Sequence, residues 1–436
     1  MNFSSLYSVL CGFVVLIGSA FWFGVEARTH NLPPLPQIEA IAAEIVGVVD
    51  PLDRVLETNP VSELEMDQVA HIAPELVQPG LVALLTLVSP REPMVRVINR
   101  DGDVVHEWRP TWDQIWNDEE GDFLRRPQIG IYAHGLHVLP DGSFVTNFEH
   151  YSTFRMSVCG DILWKLDNYG HHAVSEAPDG TLWVPAEEYR AIIPSEFIAH
   201  RPTLRSYLLQ QIDLDGNILR SISLLKLIFE NDLDGLLYLR SHTAGPVYAQ
   251  GDTLHLNDIE IVPEGVASNT LEPGHLILSM RDINTIMAVD PKTEEVKWVH
   301  IGGFVRQHDP DVLMNGRISI YDNQSHLESG ALTEPFSRIL ELDPETGARA
   351  TIIGAQNEPK FYSRITGAHE RLPNGNILVV AAQQGRLLEF TRNGQLVWRY
   401  DARLSARQNG RIFNAQVLPP HMDKAFFETA KRRCEQ

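Results

Sequence analysis

From about Gly80 onward, short runs of β-branched and aromatic residues alternate with turns that are rich in glycine, aspartate, asparagine and proline. This alternation is typical of short antiparallel strands joined by tight turns. One hydrophobic hairpin pattern, often with tryptophan in its second strand, recurs along the chain. The candidate hairpins span residues 97–108, 156–166, 211–222, 288–299, 341–352 and 389–400.

A small antiparallel sheet cannot bury both of its faces alone, and radial packing of several such sheets solves this problem while leaving only short edges. Hairpins that recur every 50–80 residues or so are a repeat signal of that kind. The sequence therefore predicts an all-β fold, a β-propeller of about six blades. A helical stretch is expected within Ile222–Pro246, in one of the long connections between strands.

A second repeated segment places polar side chains at a fixed distance before a turn glycine. Histidine lies eight residues before that glycine in HGLHVLPDG, HAVSEAPDG and HDPDVLMNG, which begin at His134, His172 and His308. The segment HLNDIEIVPEG, which begins at His255, has Asn257 at this place, and GAHERLPNG has a glycine there with His369 two residues later. Equivalent positions in a closed ring of repeats face a common axis, so these side chains form one candidate site.

The N-terminal part of the chain differs from the rest. The uncharged run from Leu6 to Val25 is just long enough to cross a hydrocarbon core of about 30 Å as a helix. We expect residues 1–28 to form an uncleaved membrane anchor, with a cleaved signal peptide as the alternative. Residues 29–79 are then a stalk with short helices, 80–414 the propeller and 415–436 a peripheral tail. Either alternative places the large domain in the periplasm or another compartment outside the cytoplasm.

The net charge is −21, which argues against binding to nucleic acid or to an anionic membrane surface. Of the three cysteines, Cys11 lies in the apolar N-terminal run, which leaves Cys159 and Cys434. One disulfide between these two is possible, but two cysteines do not make a disulfide scaffold.

The candidate inner residues are rich in N–H donors and carry few carboxylates. The set comprises His134, His172, His255, Asn257, Arg281, His308 and His369. Such a group suits a tetrahedral oxyanion such as a sulfuryl or phosphoryl group. It suits Mg²⁺ and Ca²⁺ badly, whereas several histidines would suit Zn²⁺ or Fe²⁺. Because an arginine is not a metal ligand, we expect neither a metal nor another cofactor.

Four segments in the middle of the chain carry a resemblance to a known family. They are HLNDI (255–259), LSMRD (278–282), RQHDPDVLMNGRISIYDN (306–323) and FSRILELD (336–343). Their order resembles the arylsulfate sulfotransferases, which have an H-x-N motif, an arginine after the next strand, a Q-H motif and a following S-R-x-x-E. The match is close in this middle part of the chain. In the rest of the chain the resemblance consists of the propeller repeat alone.

The resemblance implies a six-bladed propeller that moves a sulfuryl group from an aryl sulfate to a phenol through a sulfated histidine, without a nucleotide donor. His308 then matches the nucleophile, His255 and Asn257 the H-x-N pair, and Arg281 the arginine. A further catalytic histidine corresponds to His172 or its neighbour His171. We expect His134, His171, His369 and Arg338 to contribute to substrate binding.

The chain also departs from this family. We expect only an anchor and a short stalk where the best-known members carry an N-terminal β-sandwich, and Asp309 follows the Q-H motif where the family has threonine or alanine. Two alternatives therefore stand beside the transferase. One is a membrane-anchored propeller that binds a ligand or partner without turnover, and the other is a histidine-ligated metalloenzyme such as a lyase or hydrolase.

Overall fold

A computed structural model describes residues 59–60, 67–89, 92–116, 132–188, 197, 200, 204–239, 247–329, 334–405 and 408–435. Within these residues the chain forms six antiparallel sheets, each of four or five strands, and one smaller sheet. The first strands of neighbouring sheets contact each other from blade 3 to blade 6, and from blade 6 through blade 1 to blade 2. His137 on the first strand of blade 2 contacts Glu176 on that of blade 3 at 3.0 Å, which completes the ring. The predicted six-bladed β-propeller is confirmed.

The strands of each blade are given from the axis outward. Blade 1 contains Ile412–Val417, Val82–Ser89, Glu92–Ile98 and Val104–Trp108, and blade 2 contains Ala133–Val138, Phe144–Phe148, Ser152–Met156 and Ile162–Leu166. Blade 3 contains Ser175–Glu176, Leu182–Glu187, Tyr207–Ile212 and Ile218–Ser223, and blade 4 contains Leu256–Ile261, Leu276–Met280, Thr285–Asp290 and Glu295–Ile301. Blade 5 contains His308–Val312, Ile318–Asp322, Arg338–Leu342 and Arg349–Ile353, and blade 6 contains Ala368–Arg371, Ile377–Ala381, Arg386–Phe390, Leu396–Asp401 and Val69–His71.

The second strand of a blade is largely apolar and is buried on both faces. Leu276–Met280, Ile318–Asp322 and Ile377–Ala381 are buried throughout. Fourth strands such as Glu295–Ile301 alternate between partly buried and exposed positions, because one face meets solvent. All six predicted hairpins join the third and fourth strands of their blades, which explains their half-polar pattern.

Segments from both ends of the chain close the ring. Ile412–Val417 pairs with Val82–Ser89 as the innermost strand of blade 1, and Val69–His71 pairs with Leu396–Asp401 as the outermost strand of blade 6. The boundary predicted at residue 414 therefore falls within a propeller strand, and the segment assigned to the stalk contributes a strand to blade 6. A separate small sheet contains Asn59–Pro60, Gln408–Asn409 and Arg403–Ser405, and the last two of these strands lie in the sequence between Leu396–Asp401 and Ile412–Val417.

Helices occupy the connections and the C-terminus. The short helix Trp112–Ile115 follows blade 1, and Leu224–Glu230, followed by a 3-10 turn at Asp234–Tyr238, confirms the helical stretch expected within Ile222–Pro246. Asp423 caps the N-terminus of the helix Lys424–Cys434, because its side chain accepts a hydrogen bond from the Phe426 amide.

A disulfide joins Cys159 in the outer turn of blade 2 to Cys434 at the end of the C-terminal helix, with 5.3 Å between the two Cα atoms. Phe427 on this helix is buried against Trp108 of blade 1, at 6.3 Å between ring centroids. The tail is therefore fixed to the first two blades by a covalent bond and by an aromatic contact.

The predicted membrane anchor at Leu6–Val25 and most of the predicted stalk lie outside the described residues. Within the described ranges, no helix has the length and apolar character required to span a membrane.

Candidate functional site

The histidines of the repeated segments lie where the first strands of blades 2 to 5 begin. His134 and His308 are within their strands. His255 immediately precedes its strand, and His172 lies a few residues before its own. In blades 2, 4 and 5 the pairing register shifts at this point. His172 and His255 also have positive φ angles of 53° and 48°. Because a bulge or a left-handed residue re-aims the side chains around it, these irregularities bring the imidazoles to one end of the central tunnel.

These side chains form one buried cluster. The Nε2 atoms of His172 and His255 are 3.0 Å apart. The His172 ring centroid lies 4.0 Å from that of His134 and 5.9 Å from that of His308. His171 lies between them, at 4.2 Å from His172 and 5.0 Å from His255. The structure therefore brings together five of the predicted site residues from four blades.

His308 is held by a neighbouring strand. Its Nδ1 lies 2.7 Å from Oδ1 of Asn323, whose own amide donates to the carbonyl groups of Ser363 and Thr366. That arrangement fixes Asn323 with its oxygen toward His308, so Nδ1 carries the proton and donates it. Nε2 is then an acceptor, and the amide of Thr366 lies 3.3 Å from it. Burial and the charge of Arg281 hold the pKa of His308 well below its usual value, so the ring is neutral at pH 7.

Arg281 is buried beside this cluster. Its backbone amide donates to the carbonyl of His255, and its Nε donates to Asp282 at 2.8 Å. Burial and the guanidinium charge lower the pKa of His255, and the same charge acts on His308. A fixed cation therefore lies close to both imidazoles, as an oxyanion site requires.

Asn257 has a positioning contact. Its Nδ2 donates to the carbonyl of Gln307 at 2.8 Å, one residue before His308. The side chain of Gln307 in turn donates to Ser279, Met280 and Thr285 in blade 4. The H-x-N and Q-H motifs thus tie the start of blade 5 to blade 4 and set the position of the His308 backbone.

The family described as arylsulfotransferase (ASST) matches residues 135–403. The chain belongs to the arylsulfotransferase family. The matched segment contains every predicted site residue except His134, which immediately precedes it, and membership of this family supports a transferase. A search of curated proteins finds no match to this chain.

A search of solved structures finds matches at low identity. A protein of unknown function from Bacteroides caccae is 12% identical, with 78% of this chain and 98% of that chain covered and a TM-score of 0.47. A virginiamycin B lyase from Staphylococcus aureus with quinupristin is 11% identical, with 76% and 87% covered and a TM-score of 0.38. A streptogramin B lyase is 10% identical, with 81% and 100% covered and a TM-score of 0.41.

The histidine cluster of this arylsulfotransferase is in contact with carboxylates that the sequence analysis did not identify. Glu149 lies 3.3 Å from Nε2 of His171 and 3.7 Å from both His134 and His172. Burial favours its neutral form, but contact with His134 and the charges of the surrounding histidines hold its pKa well below the usual value. Asp252 accepts a hydrogen bond at Nδ1 of His255. The expectation that the site is almost entirely neutral or cationic is therefore wrong.

His150 lies in the same group and offsets part of this negative charge. Its Nδ1 is 2.9 Å from Glu187, and its Nε2 is 3.6 Å from Glu149. Although burial opposes protonation, the two carboxylates raise the pKa of His150. The neighbouring His171, in contrast, has its pKa lowered to about 3 because it is fully buried.

Two predicted substrate-binding residues lie elsewhere. His369 is on the first strand of blade 6 and contacts residues of blade 5. Its Nδ1 is 2.8 Å from Asp309, and its Nε2 is 2.6 Å from the hydroxyl of Ser319. Arg338 starts the third strand of blade 5, where it donates to Asp322 at 2.8 Å and to the carbonyl of Gly303 at 3.1 Å. Arg338 is thus committed to an ion pair between strands, and its side chain does not join the histidine cluster.

Carboxylates line the tunnel beyond the histidines. They are Asp258 and Glu260 of blade 4, Asp309 and Asp311 of blade 5, and Glu370 of blade 6. Burial and the charges of neighbouring carboxylates raise the pKa of Glu260 to about 8 and, against the charge of Arg100, that of Glu370 to about 7. Burial therefore keeps much of this group protonated near pH 7.

Glu260→Gln should stabilise the protein at pH 8 and have little effect at pH 5. A carboxyl group with a raised pKa in the folded state is protonated there, so its contribution to stability falls as the pH rises from about 4.5 to about 8. Since one pKa unit corresponds to about 1.4 kcal/mol, we expect a gain of roughly 1–3 kcal/mol at pH 8. Denaturant unfolding at both pH values measures this gain, with Glu264→Gln in the exposed turn of the same hairpin as control. Equal effects of the two substitutions would contradict the expectation.

Proposed function

We propose that this arylsulfotransferase moves a sulfuryl group from an aryl sulfate ester to a phenolic acceptor, through a sulfated His308. The observation that carries the proposal is the orientation of His308. Asn323 fixes the proton on Nδ1, burial and the charge of Arg281 keep the ring neutral, and Nε2 carries the lone pair, which accepts a long hydrogen bond of 3.3 Å from the Thr366 amide that the substrate must displace. A neutral imidazole with a fixed tautomer is an activated nucleophile.

In the first half of the reaction, Nε2 of His308 attacks the sulfur atom as the bond from sulfur to the aryl oxygen breaks. The phenolate leaves and a sulfo-histidine forms. By analogy with phosphoryl transfer, negative charge is concentrated on the equatorial oxygens of a loose transition state. Arg281 is the fixed cation for those oxygens, and the tunnel-facing N–H groups of the histidines are additional donors.

In the second half, the oxygen of an acceptor phenol attacks the sulfur and the bond from sulfur to Nε2 breaks. The acceptor loses a proton in this step, and the departing phenolate gains one in the first. The facing Nε2 atoms of His172 and His255 are 3.0 Å apart, so one of them carries a proton that the other accepts. This pair, backed by Asp252 on His255, is suited to passing that proton.

The proposal is tested by trapping the intermediate. The protein is incubated with an aryl sulfate labelled in its sulfur atom, without an acceptor, and then quenched and mapped by peptide mass spectrometry. We expect one sulfuryl group on the peptide that contains His308, and its release to a phenol that is added later. Label on another residue, or transfer in which both substrates must be bound together, would contradict the mechanism.

A further inference from the structure

A series of ionisable side chains leads from the solvent to the histidine cluster. The imidazole of His150 is 33% exposed, and its Nε2 lies 3.6 Å from Glu149, whose side chain is only 5% exposed. Glu149 in turn lies 3.3 Å from Nε2 of His171 and 3.7 Å from Nε2 of His172. His172 faces His255 in the imidazole pair. The proposed reaction itself gives no role to His150 or Glu149.

The imidazole pair holds no proton in excess. Nδ1 of His255 donates to the carboxylate of Asp252, so Nε2 of the neutral ring accepts the proton that lies between it and Nε2 of His172. Burial and the neighbouring histidines keep the pKa of His172 well below its usual value, and burial and Arg281 lower that of His255. Because a neutral imidazole that loses its proton becomes an anion, the pair protonates a phenolate only when another group supplies a proton.

The contact between Glu149 and His171 is arranged to receive such a proton. Nδ1 of His171 lies 3.1 Å from the carbonyl of Leu256, which only accepts, so the proton of the neutral ring is on Nδ1. Nε2 therefore presents a lone pair to the carboxylate of Glu149, and this buried nitrogen has no hydrogen-bond partner within the described part of the chain. Two buried acceptors that face each other are costly unless a proton lies between them.

His150 is held at the outer end of the series by charge and by backbone conformation. Its Nδ1 lies 2.9 Å from Glu187, which also pairs with Arg205 at 3.1 Å. The backbone of His150 is left-handed, with a φ of 70°, and its amide donates to the carbonyl of Gly170. Such conformations are uncommon outside glycine and cluster at functional sites. Although burial opposes protonation, Glu187 and Glu149 raise the pKa of His150, which favours a charged ring at the edge of the solvent.

We propose that His150 stores the proton that sulfuryl transfer needs, and that Glu149 passes it to the pair of His172 and His255. As the bond from sulfur to the aryl oxygen breaks, one proton moves from His150 through Glu149 to the pair, and the pair gives one proton to the phenolate. In the second half, the acceptor phenol gives its proton to the pair, and the same series returns it to His150. Each half-reaction moves one proton and no electrons, and the protein returns to its starting state.

The inference rests on the proposed function and adds the source of its proton. His150 and Glu149 act through the histidines of the cluster, so their importance should increase with the basicity of the departing phenolate. A 4-nitrophenolate leaves without a proton. An unsubstituted phenolate, whose conjugate acid has a pKa of about 10, needs one.

The first half-reaction is followed as phenol release in a single turnover of the whole protein, without acceptor, from phenyl sulfate and from 4-nitrophenyl sulfate. We expect His150→Asn to slow the release from phenyl sulfate by about 10–100-fold, within the range of roughly 10²–10⁴-fold that general acid–base catalysis contributes. The release from 4-nitrophenyl sulfate should change by less than about threefold. Asparagine is chosen because it tolerates the left-handed backbone of His150.

Glu149→Gln should show the same dependence on the leaving group, and it decides the result if His150→Asn does not fold. Added imidazole should restore part of the rate in His150→Asn but not in Glu149→Gln. His137→Asn is the matched control, because His137 also lies 3.0 Å from a glutamate, Glu176, but outside the cluster, and it should behave as the wild type with both esters.

Equal losses for the two esters, or no recovery with imidazole in His150→Asn, would overturn the relay and leave the sulfated His308 standing. A wild-type protein that releases phenol from neither ester would overturn the proposed function, and the relay with it.

Discussion

His308→Ala should reduce sulfuryl transfer from an aryl sulfate to a phenol to the background rate. The variant lacks the nitrogen that forms the covalent bond, and no other imidazole of the cluster has its Nδ1 fixed by an amide that is itself held by two carbonyl groups. Loss of the nucleophile in a covalent enzyme typically costs about 10⁴-fold or more. Release of a chromogenic phenol, with and without acceptor, measures the effect.

Controls separate this loss from general damage to the fold. His300→Ala removes a histidine from the fourth strand of blade 4, outside the cluster, and should leave transfer near the wild-type rate. Asn323→Ala keeps the nucleophile but frees its ring, so we expect a lower kcat with a smaller change in KM. A His308→Ala variant that still releases phenol and sulfates the acceptor at a substantial rate would rule out the covalent mechanism.

The fold was largely predictable because its signals are local. Each outer hairpin alternates over a few residues around a turn, and each second strand is a short apolar run, so every blade can be found without knowing its neighbours. The ring closure lacks such a signal. Val69–His71 is only three residues long, and Ile412–Val417 pairs with Val82–Ser89, more than 300 residues away in the sequence. Pairing over such a distance is decided by the assembled ring.

The site was predictable to the extent that the repeat fixes it. The constant spacing to the turn glycine places His134, His172 and His308 at one end of the tunnel, and the structure confirms that they meet. Their catalytic roles remain predictions. Glu149 and Asp252 were missed because they lie outside the repeated segments and reach the cluster only through tertiary packing. The available signal was closeness in the sequence, because Glu149 is next to His150 and Asp252 lies three residues before His255.

Arg338 lies outside the histidine cluster for a related reason. A motif shows that an arginine and a carboxylate recur together, but it does not show which face of a strand they occupy. In the structure Arg338 pairs with Asp322 on the adjacent strand, next to Asn323. It therefore stabilises the strand that holds His308, whereas Arg281 lies at the site itself. A comparison of the two arginines tests this distinction directly.

Arg281→Gln should lower kcat/KM for sulfuryl transfer by about 10²–10³-fold, the usual cost of removing one charged donor from a developing oxyanion. The loss of the charge also relieves His255 and His308 of the field that helps to lower their pKa. The optimum for transfer should therefore shift to higher pH, because a more basic imidazole needs a higher pH to stay neutral. Arg281→Lys should recover part of the rate.

Arg338→Gln is the matched control, because Nε of each arginine donates to an aspartate at the same distance of 2.8 Å. We expect this variant to keep its pH optimum and most of its activity while unfolding at a lower denaturant concentration. Because Arg281→Gln removes one partner of the partly buried Asp282, the double variant Arg281→Gln/Asp282→Asn should regain stability but not activity. Recovery of transfer in the double variant would show that Arg281 acts only by stabilising the fold, and would remove it from the oxyanion site.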